Sequence, residues 1–436
     1  MSFARPQALL MDKHIEEVKY PLTFRMKDSE GLGLHIKNRN NVVLIGMKRV
    51  GISNFLRFFL FKEGIKEKYI NDGKNHLFIP IDLNDLVERE LYPFWVLTLK
   101  RIEDAVMASD ISEKTKKSIE TLFLDSIQSQ DLFLTIDSIR KSLAMLVGEG
   151  ITPTIFFLRF DRMQNVVTPE FFANLQGLID ASHKNLSYVI TSVRSLESLS
   201  PDVFTRASVS VFARTMYISP SEKGDASVVF DETCKRYGLD FSDGVKAKIL
   251  SIVDGYTQYL QFALSYLHEK KSNSVSVNLD EELLSDERIA LQSEELWESL
   301  TDDEKESLLK YIAGKPLNTE DPEKSAYLWN TGIISDEGIF SSLFEKYVSS
   351  KREITKDNIK HELSKKEHLL LKILEENKGA LCEREQIIEY VWPEAESYGV
   401  SDWAVDRLVA RLRGKLKASN SDYEIVTVKT RGYKLA

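Results

Sequence analysis

Eight consecutive residues, Gly46-Met47-Lys48-Arg49-Val50-Gly51-Ile52-Ser53, carry the two glycines and the closing hydroxyl of a phosphate-binding loop, GxxxxGK[ST]. Such a loop works because glycines let the backbone curl until several N–H groups point inward. The helix that follows adds positive potential, a lysine bridges the outer phosphates, and Ser or Thr binds magnesium. Here Ile52 stands where the lysine belongs, and it offers neither charge nor donor. Lys48 and Arg49 lie within reach of a phosphate, Asn54 follows Ser53, and Ser53 would be a magnesium ligand only if a nucleotide binds. On these residues alone two readings stand: a nucleotide site, or a strand-to-helix turn without a ligand.

A second chemistry sits at the other end of the chain. From Trp403 to Ala436 there are eight Lys/Arg against three acids, on a chain whose net charge is −9. A local basic face on an acidic protein is the footprint of a nucleic-acid surface. In SDWAVDRLVARLRGKLK, Val405, Leu408, Val409, Leu412 and Leu416 form one apolar stripe, and Arg407, Arg411, Arg413 and Lys415 fall mainly on the other sides. Arg411 is expected on the exposed side. A charged hairpin with Lys429, Thr430 and Arg431 follows, so a helix for the major groove stands beside a wing for phosphates. A basic amphipathic helix by itself is more often a solvated face.

The elements that must hold these residues are legible in outline. NNVVLIG is a short apolar run suited to a buried parallel strand, and NFLRFFLFKEG is an apolar helix closed by Gly64. Further strands are predicted at 76–83, 154–160, 186–192 and 215–219, with helical periodicity between them, which indicates a parallel α/β sheet. After about residue 222 the pattern is helical. Thr301 and Glu304 form a capping box, and a hairpin is predicted to turn at Asp336-Glu337-Gly338. The charged stretch 349–362 reads as a linker. A second capping box, Ser364 with Glu367, opens three helical segments (364–376, 383–391, 401–417) and a terminal hairpin.

With 43% hydrophobic and 29% charged residues, no large disordered portion is expected. Cys234 and Cys382 show no metal or redox spacing and are expected in cores within a reducing compartment. No apolar run reaches the roughly 18 residues of a membrane span, and no signal-peptide segment is evident, so a cytoplasmic protein is expected.

Residues 20–348 resemble the STAND-type P-loop ATPases, relatives of AAA+ proteins. The resemblance rests on NNVVLIGMKRVGISNFLRFFL, IFFLRFDRMQN, YVITSVRS, and GYTQYLQFA with LWNTGIISDEGIFSSLF. It implies a P-loop NTPase-like α/β domain (1–222), a helical lid (223–290) and an internal winged-helix unit (291–348). ATP or ADP with magnesium would be the cofactor, and nucleotide exchange would switch the assembly state, with a protein partner or self-association through this module. Three positions depart from the family pattern. Ile52 replaces the loop lysine. Leu158 falls where a magnesium aspartate is usual, although Asp161 survives. Gly255-Tyr256-Thr257 lacks the proline of a G-x-P lid motif. These losses predict weak or absent hydrolysis. Thr191, Ser192 and Arg194 would be sensor-like by the same resemblance.

Residues 363–436 resemble the OmpR/PhoB-type winged-helix effector domain, on LSKKEHLLLKILEENKGALCEREQIIEYVW, VDRLVARLRGKLK and IVTVKTRGYKL. Arg411 and Arg413 match its recognition-helix RLR, Lys415 the lysine after it, and Lys429 to Tyr433 its wing, with Thr430 in place of a usual glycine. Trp392, Val405 and Tyr433 are expected in the core. The combined expectation is a regulator that binds double-stranded DNA, its degenerate module controlling the winged helix, with no membrane association. Alternatives are an active ATP-dependent switch with Lys48 or Arg49 replacing the missing lysine, a pseudo-ATPase scaffold in antiphage or mobile-element machinery, and a replication initiator.

Overall fold

The computed structural model describes residues 15–270, 278–314, 323–356, 365–392, 402–418, 423–428 and 431–435. It divides into two units, Met1–Lys351 and Arg352–Ala436.

In the first unit, helix α1 (Met26–Lys37) leads into β1 (Asn41–Ile45), and the glycine loop delivers the chain to α2 (Ile52–Phe61). Strand β2 (Asn75–Asp82) precedes three helices, α3 (Leu91–Met107), α4 (Glu113–Ser129) and α5 (Leu132–Gly148). Then come β3 (Ile151–Leu158), α6 (Pro169–Ala181), β4 (Ser187–Ser192), a helical turn at Leu196–Leu199, α7 (Arg206–Phe212) and β5 (Ala213–Tyr217). The five strands form one parallel sheet in the order β2-β3-β4-β1-β5.

Alternation along the strands sorts side chains to two cores. Val42, Leu44, Phe156 and Val189 face one side, while Val43, Ile45, Phe157 and Ile190 face the other. Burial on both faces explains why these strands read as continuous apolar runs. The expected β3 runs three residues earlier than its sequence signal and stops at Leu158. Arg159 takes a left-handed φ of 61°, which ends the strand before Phe160.

The helical region continues the first core. It comprises α8 (Lys223–Tyr237), α9 (Asp243–Val253), α10 (Thr257–Glu269), α11 (Leu279–Leu284), α12 (Glu287–Glu298), α13 (Asp302–Ile312), α14 (Glu323–Asn330) and α15 (Ser342–Lys356). A short hairpin, β6 (Ile334–Ser335) with β7 (Gly338–Ile339), lies between the last two helices. The Thr301–Glu304 capping box is present. Leu260, Leu264, Leu296, Leu328 and Phe344 bury into the same core as Val42 and Leu44, so these helices are fastened to the sheet rather than strung beside it. Helix α15 runs to Lys356, so the first part of the expected linker 349–362 is helical; the rest lies outside the described residues.

The second unit holds α16 (Lys365–Glu376), β8 (Cys382–Glu383), α17 (Arg384–Val391), α18 (Asp402–Ala418), β9 (Ile425–Val428) and β10 (Gly432–Leu435). Its sheet order is β8-β10-β9, and β8 is a strand too short to read from sequence. Three helices and this hairpin make a winged-helix domain. Its core is Leu370, Leu374, Leu408, Val409 and Leu412, with Val405 and Tyr433 as expected, while Trp392 is only half-buried against it. Both cysteines are free and buried. Among the described residues no helix is long and apolar enough to cross a membrane.

Candidate functional site

The glycine loop leaves the carboxyl end of β1. A Cβ on Gly46 would sit 2.8 Å from the Ile218 carbonyl, and one on Gly51, at φ 112°, 2.7 Å from the Thr257 hydroxyl. The glycines are therefore required by close approach of the protein to itself. Met47 and Val50 are buried. Ile52, in the lysine position, packs against the first core with its Cδ1 beside Gly46.

The far side of the loop is held by the helical region. Tyr256 is fully buried and donates its hydroxyl to the Lys48 carbonyl at 2.6 Å, while Gln292 Nε2 donates to that tyrosine oxygen at 3.0 Å. Thr257, where a G-x-P motif has its proline, donates to the Val50 carbonyl at 3.3 Å. The buried Glu295 of α12 meets Arg49 Nε at 3.1 Å and Lys48 Nζ at 3.7 Å. Asn54 Oδ1 accepts from Arg57 at 3.1 Å.

Magnesium would need oxygen ligands at Ser53 and a neighbouring carboxylate. Instead the Arg159 guanidinium lies between them, paired with Asp82 and 3.5 Å from Ser53 Oγ. Its backbone N–H donates to Thr191 Oγ1 at 2.8 Å. These residues do not fit a magnesium nucleotide as they stand: a guanidinium lies beside Ser53 and Asp82, where a divalent cation would be repelled, and a carboxylate faces the loop's cations. Among the described residues no group of three or more His, Cys, Asp or Glu could hold a metal.

Beside the loop is a cavity of about 320 Å³, lined by residues that include Lys48, Asp161, Gln164, Arg194, Ser299 and Tyr327. Burial pushes the Asp161 carboxyl above its ordinary range, against the pull of Lys48, Arg162 and Arg159. Arg194 does not point into open space. Its guanidinium makes a two-pronged pair with Glu304 at 2.6 and 2.8 Å, donates to the Ser299 carbonyl, and stacks 3.8 Å over the Tyr327 ring. Thr191 ties β4 to the end of β3, Ser192 accepts the Arg194 N–H at 3.2 Å, and Arg194 alone of the three reaches α13 and α14. Arg159, Glu295 and Glu304 were missed by sequence reading. Only the Thr301–Glu304 cap gave a signal, and it pointed to a helix start rather than to an ion pair.

In the winged-helix unit, the cations of α18 are placed differently from expectation. Arg411 and Lys415, one turn apart, both turn onto the wholly buried Glu367 of α16, at 3.5 and 2.5 Å. Arg411 is therefore not on the exposed side. A carboxylate sealed in the fold needs compensation, and these two residues supply it. Glu367 is thus an ion-pair anchor; its expected capping partner Ser364 lies outside the described residues. Arg413 donates to the Ile425 carbonyl and Thr427 Oγ1, both at 2.8 Å, bracing the helix against β9. Arg407 is half-buried. The exposed line of α18 runs through Asp406, Ala410 and Gly414. Asp406 is held by Arg384 at 2.5 Å and by the Tyr433 hydroxyl. On the wing, Arg431 is exposed and 3.3 Å from Glu383, whereas Lys429 and Thr430 lie outside the described residues.

Residues 358–435 match the family model described as "Transcriptional regulatory protein, C terminal". The response regulator ArlR of Staphylococcus epidermidis is 37% identical over 102 residues, which is 23% of this chain and 40% of that protein. ArlR of Staphylococcus aureus is 38% identical over 81 residues, 19% of this chain and 36% of that protein. The chain thus spans well under half the length of these curated relatives. Among solved structures, a Walker-type ATPase of Pyrococcus abyssi matches with TM-score 0.46 and 15% identity, over 74% of this chain and 95% of the other. The ORC2 protein of Aeropyrum pernix, in ADPNP–ADP complexes, matches with TM-score 0.42 and 11% identity, over 98% and 93%. The C-terminal unit is a winged-helix domain of the transcriptional-regulator type, and it follows a parallel-sheet α/β module with a helical region.

Proposed function

We propose that this chain is a cytoplasmic DNA-binding regulator of transcription in which a hydrolysis-deficient, STAND-type module governs a C-terminal winged helix. The observation that carries the reading is the match of residues 358–435, whose basic α18 and wing form the candidate surface for double-stranded DNA. On that surface Arg431 and Lys429 neutralise phosphates, and the open line of α18 enters the major groove. Arg407, Arg411, Arg413, Lys415 and Thr430 belong to the same helix and wing, the paired ones acting by fixing its shape.

Upstream, the module senses a protein partner or its own state of association instead of turning over ATP. Phosphoryl transfer needs a charge-neutralised, metal-held terminal phosphate. Ile52 in the loop and Arg159 against Ser53 both argue against that apparatus. That Lys48 and Arg49 both meet Glu295 speaks against either standing in for the lysine.

The test is a salt series of duplex binding by the intact chain, run beside an ATP turnover assay. The expected result is affinity that falls steeply and linearly in log–log with salt, and turnover at background. No duplex binding at low salt would overturn the DNA reading. Turnover abolished by Ser53→Ala would overturn the hydrolysis-deficient one.

A further inference from the structure

We propose that the glycine loop is an anion site whose resident ligand is the chain's own Glu295 carboxylate, so that the helical region is held shut without nucleotide. This rests on the reading of the module as non-hydrolytic and says what occupies the loop in place of phosphate.

Three groups of contacts hold the loop in this state. The loop's two cations, Lys48 and Arg49, both face Glu295, whose side chain is only 8% exposed. An acid so placed is stabilised by those cations, and an anion arriving at the loop must compete with it for them. Around that pair, the Tyr256 and Thr257 hydroxyls take the carbonyls of Lys48 and Val50, which fixes the loop's shape from the same side. On the sheet side, the Arg159 guanidinium holds Asp82 and approaches Ser53, supplying positive charge where a divalent ion would otherwise sit. A carboxylate faces the loop's cations and a guanidinium lies beside Ser53, so both signs of charge are already present at the loop.

An incoming phosphate would therefore compete with Glu295 for the loop's cations, and losing that pair removes one of the contacts, beside Gln292 through Tyr256, that hold α12 to the loop. Loosening of α12 and anion binding are thereby coupled. A partner that pulls on α12 would expose the loop, and an anion would favour the open form by the same coupling.

The test compares the intact chain with Glu295→Gln and with the double variant Lys48→Gln/Arg49→Gln, using ADP without magnesium and inorganic phosphate as probes. Binding is read by calorimetric titration and opening by limited proteolysis near α12. Glu295→Gln is expected to bind ADP at least about tenfold more tightly than the parent and to be cut faster. The double variant, which also breaks the pair, is expected to be cut faster without gaining ADP or phosphate binding. That asymmetry separates an anion site from a merely structural ion pair. A folded Glu295→Gln that gains no binding, or a parent that binds ADP as tightly as the variant, overturns the proposal. Should Glu295→Gln fail to fold, a double variant that resists protease like the parent also overturns it. ATP turnover by the parent would instead overturn the hydrolysis-deficient reading, whatever the variants do.

Discussion

Arg194, just past β4, and Glu304, in the first turn of α13, meet as a two-pronged pair 2.6 and 2.8 Å apart. Glu304 also receives the Thr301 N–H at 2.8 Å, so one carboxylate closes a helix cap and fastens that helix to the sheet. Breaking a buried pair from one side leaves an uncompensated charge, which costs about 3–5 kcal/mol. Arg194→Ala should therefore destabilise the first unit by about that amount, and Glu304→Gln by less, since an amide still accepts one N–H. Urea unfolding of both single variants and the double should give a coupling of about 1–3 kcal/mol. Additive losses would show that the pair is not the fastening.

In the winged-helix unit, Arg411→Ala should act first on stability. It removes one of the two cations that Glu367 meets inside the fold, at a cost of up to about 3–5 kcal/mol. Arg431→Ala, on an exposed wing residue, should leave melting nearly unchanged, weaken all duplexes alike and flatten the salt slope by about one unit. Calorimetric melting of the intact chain beside a salt series distinguishes the two. An Arg411→Ala protein of parental stability with altered sequence preference would return that residue to the bases.

Restoring the lysine by itself should not restore a nucleotide site. Ile52→Lys places an ammonium in a half-buried position against Gly46 and the first core, with Glu295 still on the loop. A loss of about 1–3 kcal/mol in stability and no ADP binding are expected. Binding by Ile52→Lys with Glu295 intact would mean that the loop is open to phosphate as it stands.

One pH response follows from burial. His76, near the start of β2, is buried, and burial holds its ring below the ordinary histidine range despite the neighbouring Asp72 carboxylate. Its folded pKa is thus depressed below the unfolded value of about 6.5, and the unfolded chain binds more protons in between. Stability contributed by neutral His76 is present above about pH 6.5 and is lost as pH falls through the window beneath it. The melting temperature of the parent should drop more between pH 7.5 and 5.5 than that of His76→Gln. Parallel declines would remove His76 as a cause.

What the sequence determined by itself was local. Apolar runs such as Val42–Ile45 and Ile155–Leu158 announce strands because burial on both faces demands continuous hydrophobicity. The stripe Val405, Leu408, Val409, Leu412 and Leu416 announces α18 because helix period and core packing coincide. The glycines of the loop were visible through their phosphate-loop spacing, whereas their close neighbours, the Ile218 carbonyl and the Thr257 hydroxyl, were not. Charge partners were not legible. Glu295 lies far along the chain from Lys48 and Arg49, Arg159 far from Ser53 and Asp82, and Glu367 sits on a different helix from Arg411 and Lys415. An ion pair has no period and no fixed spacing, since its energy depends on distance through space and on burial, and both exist only after the chain has folded. Sequence could say that the loop lacks its lysine and that α18 is basic. Only the tertiary structure decided that Glu295 faces the loop, and that Arg411 turns inward to a buried acid.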